Sequence, residues 1–260
     1  TATVAKASAS YLKSTLKDAK ATDALTLTVN GTTATAADLN ALDAKTKEVI
    51  TVEATKIEGT LADLNKVFVD VVTSTHFDTI STNIKNVNIT DKTVTADAVS
   101  KIGVAAGTAV VKATVTADSA ANLGEALKDT TENALTLTVN GATATAANLA
   151  ILNSTTSVDV TVNATEVTGT FNELTALGNE NIVITDDSAA DELDTIANAT
   201  TGKVTATLDA GTDITDAEVA KLTHVNGTTD VISLTSTEGT ADATALVALA
   251  AKVITADATA

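Results

Sequence analysis

The chain has no cysteine, so disulfides, thiolate nucleophiles and thiolate metal sites are excluded. Methionine, proline and tryptophan are also absent, and aromatic residues make up only 2% of the 260 residues. Without large flat side chains a thick round core is hard to fill. Ala, Val, Leu and Ile nevertheless bring the hydrophobic share to 44%, enough to bury a thin, uniform apolar layer. Basic residues are scarce: 16 against 33 acidic residues give a net charge of −17, which repels nucleic acid and anionic lipid. No apolar run approaches the length of a membrane span, and no signal-peptide core is present at the N-terminus. A chain beginning at Thr1 rather than Met reads as processed, or as a piece of something longer.

Repetition dominates what is there. Ala24-Leu-Thr-Leu-Thr-Val-Asn-Gly31 recurs as Ala134-Leu-Thr-Leu-Thr-Val-Asn-Gly141, an offset of 110 residues. The same offset carries Val52, Ala54, Thr55, Gly59, Thr60 and Leu64 onto Val162, Ala164, Thr165, Gly169, Thr170 and Leu174. One residue of slippage aligns Leu12 and Leu16 with Leu123 and Leu127. The chain therefore reads as two long tandem repeats, 1–110 and 111–260, the second running into the start of a further coil.

Within each copy a shorter unit appears. Thr35, Thr60, Thr145, Thr170 and Thr215 are each followed three residues later by an acid or amide, with apolar residues at helical spacing beyond. This pattern predicts a helix N-cap and one buried stripe; Thr95 is a variant with Ala98 in place of the acid. Ahead of the helices, apolar residues alternate with Thr at 25–29, 135–139, 158–162, 182–184 and 204–208, which predicts strands with one inward face. A strand and a two-turn helix fill one coil of roughly 22 to 27 residues. The expected fold is therefore α/β: a strand-plus-short-helix solenoid of about eleven coils, with one continuous parallel sheet on one face.

This architecture is similar to that of leucine-rich repeats, and Asn30, Asn140 and Asn163 after their strands resemble the asparagine position of that family. The Thr-x-x-Asp-Leu signature departs from it, so its binding functions are not carried over. Over essentially the whole chain, Leu25-Thr-Leu-Thr-Val-Asn-Gly-Thr-Thr-Ala-Thr-Ala-Ala-Asp-Leu39 and Val160-Thr-Val-Asn-Ala-Thr-Glu-Val-Thr-Gly-Thr170 resemble the Thr/Ala/Val/Asp-rich arrays of very large secreted bacterial proteins. These include surface-layer, adhesin and motility-associated proteins of marine cyanobacteria. The resemblance implies an extracellular or cell-surface location and a structural or adhesive role.

Chemistry-bearing residues are few. His76 and His224 lie in different repeats without matching partners and read as ordinary surface histidines, and the Asn-Gly pairs lack phosphate-loop spacing. The six Asn-x-Ser/Thr sequons are what an Asn- and Thr-rich chain produces by composition. The densest acids are Asp186, Asp187 and Asp191, then Asp209, Asp213 and Asp216. Calcium takes such hard oxygen clusters, which makes these six the metal candidates. Solvated helix-capping acids are the competing reading, with Asp187 or Ser188 capping the helix that follows. No catalytic or cofactor-binding residue is expected, and the chain is not read as an enzyme.

The leading expectation is a structural segment of a surface layer, filament or long adhesin that associates head to tail, because neither terminal stretch reads as a polar cap. The alternative is a binding module for calcium, carbohydrate or ice on a strand face carrying Thr26, Thr28, Thr136 and Thr138.

Overall fold

The computed structural model describes the 260-residue chain except residues 71–76, 79–82, 131–132, 175–180, 210–215, 226–228, 236–246, 248–257 and 260. The fold is mixed α/β, and all paired strands for which a register is defined run parallel. The chain divides into two compact units: 1–118 with 122–138 and 151–161, and 119–121 with 139–150 and 162–260.

In the first unit, β1 (Ala2–Thr3), β2 (Leu25–Val29), β4 (Ile50–Val52) and β6 (Phe77–Asp78) form one sheet. A second sheet contains β3 (Thr33–Thr35), β5 (Lys56–Gly59), β7 (Asn86–Ile89), β8 (Val110–Thr114) and β9 (Ala134–Thr136). The helices α1 (Ala9–Thr15), α2 (Ala36–Asp43), α3 (Leu61–Phe68) and α4 (Ala96–Ala106) follow strands in order, as does α5 (Ala120–Leu127). In the second unit β11 (Thr143–Thr145), β13 (Glu166–Gly169), β14 (Asn181–Ser188), β15 (Val204–Asp209), β16 (Val231–Thr235) and β17 (Ala258–Thr259) make a six-stranded sheet. Helices α6 (Ala146–Thr155), α7 (Ala190–Ala199) and α8 (Asp216–Lys221) belong to this half of the sequence. A separate two-stranded sheet joins β10 (Thr138–Val139) to β12 (Thr161–Val162).

The alternating pattern correctly places the inward face. Leu27, Val29, Ile50, Val52, Leu135 and Val139 are fully buried, while Thr26 and Thr136 are exposed. Each full burial of a Leu or Val side chain is worth roughly 1.5–3 kcal/mol relative to exposure. The helix starts also follow the expected caps: Thr35, Thr60, Thr95 and Thr145 accept from the backbone N–H of Asp38, Asp63, Ala98 and Asn148 at 3.1–3.3 Å. Thr170 precedes only a 3-10 turn, Phe171–Glu173, and Thr215 lies outside the described residues, immediately before α8.

Three expectations are corrected. Instead of one continuous sheet, the described residues form four. The turn at Asn30-Gly31, with Gly31 at φ 103, redirects the chain so that β2 and β3 join different sheets; Gly141 at φ 134 occupies the matching turn. The strand expected at 158–162 begins only at Thr161, because Val158 is 39% exposed and its N–H donates to Thr156 Oγ1. The run 135–139 is split at Leu137 between β9 and β10.

The two copies share their packing details. Thr46 is buried and accepts from the N–H groups of Leu25 (3.0 Å) and Glu48 (3.1 Å), and its hydroxyl lies 2.8 Å from the Leu25 carbonyl. Thr156, its counterpart at the 110-residue offset, repeats this with Leu135 and Val158. Thr55 donates to the Thr32 carbonyl, and Thr165 to that of Ala142. A Cβ added at Gly59 would stand 2.9 Å from that of Ala36, and one at Gly169 would stand 2.9 Å from that of Ala146. Each of these contacts joins one strand–helix segment to the next, so backbone polar groups that an isolated segment would leave unpaired are satisfied by its neighbour.

Candidate functional site

The carboxylates proposed for calcium fall on several different elements. Asp186 is exposed and accepts from the Phe171 N–H at 3.1 Å, capping the 3-10 turn of the preceding segment. Asp91 does the same for α3 in the first copy, accepting from the Leu61 N–H at 2.6 Å. Asp187 lies in β14 in register with Thr207, and Asp191 is exposed in the first turn of α7. Asp209 ends β15 in register with Thr235, Asp216 starts α8, and Asp213 is outside the described residues. Among the described residues no three His, Cys, Asp or Glu side chains converge as metal ligands. Neither Asp187 nor Ser188 occupies the N-cap of α7; that position is Ala189, whose N–H donates to Glu192 at 3.0 Å.

One cluster was not legible from the sequence. His224 donates its backbone N–H to Asp194 Oδ1 (2.6 Å) and sets its ring Nδ1 2.8 Å from Asp194 Oδ2. Thr223 donates its hydroxyl to the same Oδ2 at 3.0 Å. Burial pushes the Asp194 carboxyl up. The backbone and ring of His224, the Thr223 hydroxyl and the charge of His224 outweigh it and hold the group below the usual carboxylate range. Thr223 Oγ1 also lies 3.0 Å from His224 Nδ1, the nitrogen that faces Asp194. A nucleophile relay needs hydroxyl and carboxylate on opposite ring nitrogens, so these three residues form a tie between α7 and the chain after α8 rather than a relay. The other histidine, His76, lies outside the described residues.

In the first unit a cavity of about 580 Å³ opens beside the start of α4. Its lining includes Thr95, Asp97, Thr116, Asp118, Asn122 and Glu125. Asn122 donates to Asp118 at 2.9 Å, so part of its polar lining is already engaged. On the strand faces, threonines meet in pairs: Thr3 beside Thr26, Thr28 beside Thr51, Thr114 beside Thr136 and Thr145 beside Thr168. After Thr51 the next strand presents Asp78.

No protein-family model, curated protein or solved structure matches this chain. No helix among the described residues is long and apolar enough to cross a membrane.

Proposed function

We propose that the chain is a structural segment of an extracellular bacterial surface layer, filament or long adhesin, folded as a strand-plus-helix solenoid and associating head to tail. The observation that carries this reading is what the two copies keep in common. Thr46 and Thr156, Thr55 and Thr165, and the Gly59–Ala36 and Gly169–Ala146 contacts all fasten one segment to the next. Polar positions outside the buried layer vary instead: Lys56 becomes Glu166 and Glu53 becomes Asn163. Repetition that holds the stacking contacts constant and lets the outer chemistry drift is what a scaffold requires. A heterologous contact between open sheet edges does not close on itself and yields filaments or sheets.

Light scattering over a range of concentrations, with and without calcium, tests this. Growth into large open assemblies with rising concentration is expected. A monodisperse monomer at high concentration overturns the head-to-tail reading, and loss of the chain from intact producing cells only after lysis, never after surface proteolysis, overturns the location. The second reading, a binding module for calcium, carbohydrate or ice, is favoured by the paired threonines. Saturable ice-recrystallisation inhibition, or a calcium-dependent rise in melting temperature, would move it to first place.

A further inference from the structure

We propose that Asn30 is a site of spontaneous covalent self-modification, converting to aspartate and isoaspartate through a cyclic imide, and that its counterpart Asn140 is held back from the same reaction by Asn163. Both asparagines precede a glycine in the matching turn of their repeat, and both glycines have positive φ and are exposed. The reaction needs the backbone nitrogen of the following residue to reach the side-chain carbonyl carbon. A Cβ at that residue is the usual obstruction, and glycine removes it.

At Gly31 the space is open: no atom would come within 4 Å of an added Cβ. The Asn30 backbone is fixed, its N–H donating to the Ala7 carbonyl at 3.0 Å, while the next segment is anchored on the Thr32 carbonyl by Lys56 and Thr55. The turn is therefore firmly held on both sides, and the Asn30 side chain makes no hydrogen bond among the described residues. Asn140 differs in two ways. Its Oδ1 accepts from Asn163 Nδ2 at 3.1 Å, and the Thr143 carbonyl oxygen lies 3.7 Å from where a Gly141 Cβ would stand. Position 53 holds Glu where the second copy holds Asn163, so the amide that ties down Asn140 has no equivalent in the first copy.

The step balances without any oxidant or cofactor. The Gly31 nitrogen loses its proton to water and attacks Asn30 Cγ; the new C–N bond closes the five-membered ring, and the Cγ–NH₂ bond breaks, releasing ammonia. Water then opens the ring at either carbonyl, leaving a carboxylate in place of the amide and one more negative charge at a junction between sheets.

The test is incubation of the folded full chain at mildly alkaline pH and 37 °C, followed by tandem mass spectrometry that localises each gain of about 1 Da. Asn30 is expected to convert about fivefold faster than Asn140, the rate equivalent of the roughly 1 kcal/mol that one neutral hydrogen bond is worth. Asn163→Ala, at an exposed position, is expected to raise conversion at Asn140 toward that of Asn30 and leave Asn30 unchanged. Equal rates in the parent chain, an Asn140 rate unmoved by Asn163→Ala, or no conversion at Asn30 beyond that of asparagines not followed by glycine, would each overturn the proposal. Because the readout is chemical and made on the monomeric or assembled chain alike, it is independent of the proposed structural role.

Discussion

The two copies diverge most at one matched place. In the first, β5 pairs with β7 across 30 residues, Lys56 beside Asn86; in the second, β13 pairs with β14 across 15, Glu166 beside Asn181. The helix differs too, since the eight residues of α3 are replaced by the three-residue turn Phe171–Glu173. Yet the ladder is unaltered: Ile57 sits beside Val87 and Val167 beside Ile182, all four buried. Even the cap survives, with Asp91 serving Leu61 and Asp186 serving Phe171. At this junction strand register is kept and the connecting helix varies, because a one-residue slip in register would turn the buried Val and Ile outward, whereas a shortened connection leaves them in place; the next pair, β14 with β15, does shift register between Val183 and Asp187.

That contrast can be broken most severely in the buried helical stripe. Leu39 is fully buried in α2, whereas its counterpart Leu149 is only partly buried. Leu39→Asp is expected to cost about 4 kcal/mol or more, and Leu149→Asp roughly half of that, measured by urea unfolding. Equal losses would show that the helices of the two copies are buried alike. Next in size, Gly59→Val and Gly169→Val should each destabilise by about 1–3 kcal/mol through contact with Ala36 and Ala146. Pairing each with Ala36→Gly or Ala146→Gly should recover part of the loss in a double-mutant cycle.

Thr46→Val and Thr156→Val leave buried N–H and carbonyl groups of Leu25 and Leu135 without their partner. Each should cost about 1–3 kcal/mol, by nearly the same amount in the two copies. The caps should separate the copies: Asp91→Ala is expected to lose about 1 kcal/mol and Asp186→Ala less, because a 3-10 turn presents fewer amide groups than α3. The smallest effect concerns pH. Asp194 titrates below its unfolded value, so its contribution to stability is complete above the ordinary carboxylate range and is lost as pH falls through the lowered folded value. A melting series from neutral to acid pH should therefore show a shallower decline in Asp194→Asn than in the parent chain.

The features legible in the sequence are the ones whose cause is local. A threonine three residues ahead of an acid announces its own cap, because donor and acceptor are in one turn; five alternating residues announce a strand. The second strand of each segment was missed because β3 and β11 bury a single small residue each, Ala34 and Ala144, which gives no period to detect. The capping role of Asp186 was missed because its donor, Phe171, is 15 residues earlier, and Asp194 stands 30 residues from His224. The acidic clusters at 186–191 and 209–216 looked like potential ligand sets in one dimension. Of these carboxylates, Asp186 caps the Phe171 amide.

The short reach of the ladders bears on how the chain is made. Among the described residues no backbone ladder pair lies more than 30 residues apart, the distance from Lys56 to Asn86. Parallel sheets are ordinarily slow to form because distant segments must first find one another. Here each strand's template lies one or two strands earlier in the chain. At a ribosomal rate of roughly 5–20 residues per second, a new strand would meet its template within about one to six seconds of synthesis. Nascent chains arrested at successive lengths should accordingly gain protease protection in steps, one segment at a time, rather than all at once upon release.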